Sequence, residues 1–301
     1  MRRSFRTSSC TPCYAPCRDY CPAPYDNKDF KELLLPNNTK VVVFSSDEKN
    51  FCVTASLVIR NNNALLIDTK FNKTDPRKIL YYLQYTGLRL TDIFISHGDP
   101  DYYFGLEEIK AAYPKVIART TPSVAQHITN TVWNKLVVWK DALQDEIPRN
   151  IVLPEILTDN SFTFEGLHFN IFGSDRSRIA LYCPELRLVA GGPSIVSGNH
   201  LFLADMSTDE DRTRWHRNLV ELRTLNPAVV IPGHSDLEKE IFDVQSIAFS
   251  IEYLFNVASI LPTTPTSDLF ISRMLEKYPN LKSYDVLALS AKVLTGEMPW
   301  T

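Results

Sequence analysis

Three side chains able to grip a metal ion stand at alternate positions in one short loop: His97, Asp99 and Asp101, in the string ISHGDPDYYFG over residues 95–105. In an extended segment alternate residues project to the same side, so all three can face one point. A fourth candidate, His234, ends the string Pro232-Gly233-His234. Two imidazoles and two carboxylates suit a single divalent cation. Zinc accepts such N and O ligands, and trading imidazole for carboxylate moves preference toward iron(II) or manganese. A cation held there would lower the pKa of a bound water and turn it into a nucleophile. Asp101 would orient that water or carry its proton, and Tyr102 would donate to the developing oxyanion. The bland alternative is that Asp99 and Asp101, on either side of Pro100, cap a helix or close a turn.

Such a site needs rigid elements to present it. KVVVF (40–44), VTASLVI (53–59) and ALLIDT (64–69) read as a strand meander broken by polar turns. From Pro76 the apolar spacing turns helical, with Thr74-Asp75 as its cap, and DIFIS (92–96) is a strand feeding the metal-ligand loop. A helix opens at Gly105, whose missing side chain lets it pack close to the loop. A strand at 115–118 and a helix from Pro122 follow. A second cycle begins after Pro154: strands over 161–191, a helix over 210–225, strand AVVI (228–231), then three helical segments to 294. Two similar halves of strands followed by helices predict helix layers outside two packed sheets, with His97 and His234 both in loops that leave strand ends.

The chain has 301 residues, 44% hydrophobic and 22% charged, with a net charge of −3, so it carries no global basic field for nucleic acid. No apolar run is long enough to span a bilayer. Residues 1–36 read as a flexible tail and 37–301 as one domain. Within the tail Cys10, Cys13, Cys17 and Cys21 crowd together at spacings that would suit zinc or an iron–sulfur cluster, or that simply belong to a mobile Cys-rich segment. Cys52 and Cys183 sit in apolar runs and read as buried thiols, which points to a reducing, intracellular and cytoplasmic setting. The Arg- and Ser-rich, acid-free start also fits an organelle transit peptide.

The loop residues, with Asp68 in LLIDT and the order of IALYCPELRLVAG, NHLFLAD, TRWHRNLVELRTLNPAVVIPGHSD and YPNLKSYDVLALSAKVL, resemble the metallo-β-lactamase fold superfamily over about residues 40–297. That resemblance implies a four-layer αββα sandwich and a two-metal hydrolase site of five histidines and two aspartates. Here His97, Asp101 and His234 keep their expected types, whereas Asp99 and Tyr102 stand where the family has histidines. The mid-chain histidine falls near Ser174, where Asp175 is the nearby carboxylate, and the bridging aspartate falls at Gly192.

Two functions follow as expectations. One is a divergent hydrolase with a single zinc, iron or manganese ion, acting on an ester, thioester, lactone or phosphoester. The other is a catalytically silent binding or scaffold protein with a small molecule or a protein as partner. Asp175 and His200 are expected in the substrate pocket, and with Tyr102 they form a smaller third option, a metal-free catalyst. Convergence of His97, Asp99, Asp101 and His234 favours the hydrolase. A space filled by Tyr102, or by an arginine such as Arg176, favours the silent protein. His127 reads as a surface or core histidine, and Trp133 and Trp139 as either a flap over the cleft or core packing.

Overall fold

The β-branched runs form strands where their patterning predicts. In the computed structural model, which describes residues 29–300, β1 (Phe30–Leu35), β2 (Thr39–Ser45), β3 (Thr54–Arg60) and β4 (Asn63–Ile67) make an antiparallel meander. β5 (Arg89–Phe94), β6 (Ile117–Thr120) and β7 (Glu155–Ile156) add in parallel, completing a seven-stranded sheet in chain order. Parallel neighbours need long crossovers, which are supplied by α1 (Thr74–Thr86), by the pair α2 (Pro100–Tyr103) and α3 (Leu106–Ala112), and by α4 (Pro122–Leu143). The second sheet contains β8 (Ser161–Phe164), β9 (Leu167–Phe172), β10 (Ala180–Cys183) and β11 (Leu188–Ala190), all antiparallel. β12 (Val196–Ser197), α5 (Asp209–Thr224), β13 (Val229–Val230) and β14 (His234–Ser235) follow; β13 joins β11 in parallel, and β14 pairs with β12. Three helices, α6 (Gln245–Ile260), α7 (Ser267–Lys277) and α8 (Tyr284–Leu294), end the chain.

The period of two in the second sheet divides the core. On β10 and β11, Leu181, Cys183, Leu188 and Ala190 face the first sheet and join one apolar cluster with Leu57, Leu65, Ile93 and α1. Their neighbours Ala180 and Val189 face the other way, against Trp215 of α5, Tyr253 of α6, Phe270 of α7 and Leu287 of α8. This is the αββα sandwich expected from the sequence. Trp215 is fully buried on the inner face of α5, and Cys52 and Cys183 are buried free thiols. No described helix is long and apolar enough to cross a membrane.

Some boundaries move. Phe30–Leu35, read as tail, is the edge strand of the first sheet: Leu34 is 85% exposed, while Phe30 packs its ring 5.6 Å from Phe44 and 5.2 Å from Tyr82. The charged DNKDFKE stretch hides the alternation that begins inside it. The strand expected at 115–118 lies two residues later, at Ile117–Thr120. Thr74 and Asp75 occupy the first turn of α1, and the Asn72 carboxamide caps it by accepting from the Asp75 amide at 2.8 Å. Cys10, Cys13, Cys17 and Cys21 lie outside the described residues.

Candidate functional site

The loops that leave β4, β5 and β11 are tied together by one buried carboxylate. Asp68, at φ +62°, accepts from the Ser96 amide at 2.7 Å and the Ser96 hydroxyl at 2.6 Å. The same Ser96 Oγ accepts from the Gly192 amide at 2.7 Å. Burial pushes the Asp68 carboxyl up to about 7 although the Ser96 bonds pull it down. The network fixes the backbone next to His97. It also fixes Gly192, which sits at φ +80° with its Cα so close to the next strand that a Cβ would fall 1.9 Å from the Ile179 carbonyl oxygen. A side chain at 192, including the bridging aspartate of the resembling family, is incompatible with this backbone.

His97 is 3% exposed, and acceptors face both of its ring nitrogens. Nδ1 donates to the Ser177 carbonyl at 2.8 Å, and Nε2 lies 3.1 Å from Asp99 Oδ2. The other Asp99 oxygen is 3.3 Å from Lys135 Nζ and 3.5 Å from His127 Nε2. Burial pushes Asp99 upward, but His97, Lys135 and His127 outweigh it and hold the carboxyl far below the usual carboxylate range. Lys135 gains correspondingly: burial opposes its charge, and Asp99 and Asp205 more than restore it.

The second pair is Asp101 with His234. His234 Nδ1 donates to the Phe51 carbonyl at 2.8 Å, which leaves the Nε2 lone pair free to accept. The Tyr102 hydroxyl donates to it at 3.0 Å, and Asp101 Oδ2 is 3.3 Å away. Burial pushes His234 down to about 4, which keeps the ring neutral as that acceptor role requires. Burial, and then the charge of Asp99, push Asp101 well above the carboxylate range. The Tyr102 ring stands edge-on to both imidazoles, with centroids 5.3 Å from His97 and 5.9 Å from His234.

These groups do not fit a metal ion as they stand. The four predicted ligands form two pairs with Tyr102 in contact with both. The ring nitrogens a cation would use are turned on Asp99 and on the Tyr102 hydroxyl. Among the described residues no group of three or more His, Cys, Asp or Glu side chains is arranged to hold a metal. The positive charge beside Asp99 is the Lys135 ammonium.

A cavity of about 360 Å³ opens on these pairs. Its polar lining includes Asp99, Asp101, Tyr102, Lys135, Arg178, His200 and His234, with Lys49 and Asp285 as further charged groups, and Phe51, Phe71, Trp139, Phe202 and Trp300 form much of its apolar wall. His200 lies in the pocket wall. Asp175 does not line the cavity: its carboxylate accepts from the Ser177 amide at 3.0 Å and hydroxyl at 2.7 Å, closing a turn two residues ahead. That turn presents the Ser177 carbonyl to His97, so Asp175 acts on the site from behind it.

Lys135 and Arg178 line the cavity without having been singled out by the sequence. His127, Lys135 and Trp139 lie on α4 at a spacing of eight and four, which brings them near one helix face. Gly98 makes room for this face; a Cβ there would meet the His127 ring at 2.6 Å. His127 therefore stands 3.5 Å from Asp99 Oδ1 without lining the cavity itself. Trp139 packs 5.4 Å from Phe51 and 5.2 Å from Phe71, whereas Trp133 is 73% exposed. The arginine in the cavity is Arg178, not Arg176. Trp300 is held by its indole N–H on Asp205 at 2.5 Å and touches the Phe202 ring.

Comparison with known proteins agrees with this fold. Among solved structures, the FIM-1 metallo-beta-lactamase from Pseudomonas aeruginosa in its mono-zinc form aligns with 76% of this chain and 97% of its own, at 13% identity and TM-score 0.55. The metallo-beta-lactamase IND-7 aligns with 76% of this chain and 100% of its own, at 13% identity and TM-score 0.55. The DIM-1 metallo-beta-lactamase aligns with 76% and 98%, at 16% identity and TM-score 0.52. A search of curated proteins found no match. The family model of the metallo-beta-lactamase superfamily matches residues 50–234, more than half of the sequence and both candidate loops. With the sandwich, the loop constellation and this match together, the chain belongs to the metallo-beta-lactamase superfamily.

Proposed function

We propose that this chain is a small-molecule-binding protein on a hydrolase fold, with its ancestral metal centre replaced by protein charges. The observation that carries this reading is the Tyr102 hydroxyl on His234 Nε2, at 3.0 Å, in the position where the family has a histidine. Lys135 complements it, because its ammonium stands against Asp99 where a cation would be needed. The cavity and its lining remain, so the capacity to hold a small molecule is retained while the group that would activate water is not supplied.

One observation favours the competing reading, a hydrolase using a single zinc, iron or manganese ion on His97, Asp99, Asp101 and His234. Asp99 Oδ1 is buried with the ion-pair contacts of Lys135 and His127 but no well-directed hydrogen bond, and all but His97 of the four line the cavity. That reading requires Lys135 and Tyr102 to withdraw. Hydrolysis of chromogenic β-lactam, thioester, lactone and phosphodiester substrates, measured with EDTA and with added zinc or manganese, separates the two. The binding reading expects no turnover above the uncatalysed rate in either condition. Metal-dependent turnover that is lost in His97→Ala would overturn it.

A further inference from the structure

The cavity holds a guanidinium that forms no ion pair among the described residues, although Asp205, Asp175 and Asp99 act on it from a distance. Arg178 is 5% exposed, stacks over the Trp215 ring with its Cζ 4.0 Å from the centroid, and spends one N–H on the Pro193 carbonyl at 3.1 Å. Among the described residues its Nε is buried without a hydrogen-bond partner, and no carboxylate forms an ion pair with the group. A buried charge left in this state is costly, and proteins normally pair it. Stacking on Trp215 orders the plane of the group but does not neutralise it.

His200 gives a second, independent sign. It is 3% exposed and lines the same cavity, yet its Nε2 is buried with no partner. Its other nitrogen lies 2.8 Å from the Tyr253 hydroxyl. The direction of that bond follows the tautomer: where the hydroxyl donates to Nδ1, the ring proton sits on Nε2 and the imidazole offers a donor that wants an acceptor.

We propose that the cavity binds a monoanionic, carboxylate-bearing small molecule with a flat apolar body, the carboxylate pairing with Arg178 and an oxygen accepting from His200 Nε2. A guanidinium meets a carboxylate through charge-assisted, geometrically specific bonds. Lys135 adds a second positive charge at the cavity wall, though Asp99 already engages it. The aromatic wall of Phe51, Phe71, Trp139 and Trp300 suits a flat body, and about 360 Å³ accommodates one of one or two rings. The assignment rests on the metal-free binding reading above.

The test compares naphthalene-1-acetate with naphthalene-1-acetamide, which share size and ring but differ in charge, by calorimetric titration of the full chain with EDTA present. The acetate is expected to bind at least about tenfold more tightly than the amide. Arg178→Met is expected to abolish that preference and to raise the melting temperature of the ligand-free protein, because a buried charge without an ion-pair partner is gone. His200→Asn, which keeps a partner for Tyr253, is expected to weaken the acetate while leaving the fold intact. Equal binding of the two probes by the wild type, or a preference that survives Arg178→Met, overturns the anion site. So does a lower melting temperature in Arg178→Met, which would make the guanidinium structural. A preference that appears with added zinc and vanishes with EDTA overturns instead the metal-free reading beneath it.

Discussion

Tyr102 and His234, 132 residues apart, form a hydrogen bond between α2 and the first residue of β14, at 3.0 Å from phenol oxygen to Nε2. The bond consumes the ring lone pair that His234 would give to a cation. Because Tyr102 is 1% exposed, replacing it by phenylalanine leaves a buried Nε2 with only Asp101 nearby. Tyr102→Phe is expected to cost about 1–2 kcal/mol of stability, read as a fall in the denaturation midpoint. An unchanged midpoint would show that the hydroxyl contributes nothing there.

Ser96 is the hinge pin of the three site loops. Its hydroxyl donates to Asp68 and accepts from the Gly192 amide. Ser96→Ala strands a buried carboxylate oxygen and a buried N–H together, and is expected to destabilise by about 2–4 kcal/mol. Chemical denaturation measures this directly. A loss below about half a kcal/mol, within the range of ordinary surface changes, would mean that water or a loop shift takes over both bonds.

Gly192→Asp puts back the carboxylate that the family uses to bridge two metals. Its φ of +80° and the 1.9 Å approach to the Ile179 carbonyl give that side chain no place. The substitution is expected to destabilise by roughly 3 kcal/mol or more and to confer no zinc affinity. A stable Gly192→Asp protein that gains stoichiometric zinc would contradict this.

The pH dependence of stability has a visible contributor in His200. Burial pushes its ring down to about 4 from the ordinary 6.5. A lowered folded-state value means that the neutral ring's contribution is complete above about 6.5 and disappears as pH falls toward about 4, up to roughly 3 kcal/mol in all. His200→Asn keeps a partner for Tyr253 and cannot titrate. Its stability deficit relative to wild type is therefore expected to shrink between pH 6.5 and 4, followed by urea melts across that range. A deficit independent of pH would place the histidine's role in packing alone.

Much of the architecture was legible in the residues. Alternation in LHFNIF and LRLVAG divides into the two faces of the second sheet, and ISHGD leads out of β5 as expected, whereas PDYY, read as loop, forms the short helix α2 and takes Asp101 out of the extended alternation with His97 and Asp99. What the pattern could not convey was which neighbour each polar group would choose. His97 with Asp99, and Asp101 with His234, are compatible with one cation sphere on spacing alone; the presence of Lys135 and Tyr102 depends on α4 and α2 packing across the loop, a tertiary fact. Lys135, His127 and Trp139 formed a readable helical stripe, but a stripe on an amphipathic helix does not say which partner it faces. Arg178 and Asp175 stand close in sequence and point to different tasks, because the Asx-type turn at Asp175 spends that carboxylate on Ser177.

The central claim is that protein charges occupy the place of the metal. Equilibrium dialysis of the full chain against zinc at pH 7.5, with bound metal counted by elemental analysis, tests it most directly. The account predicts no stoichiometric zinc at micromolar free concentration, and no difference between wild type and the His97→Ala, His234→Ala double variant. One tightly held ion per chain in the wild type, absent from the double variant, would contradict it.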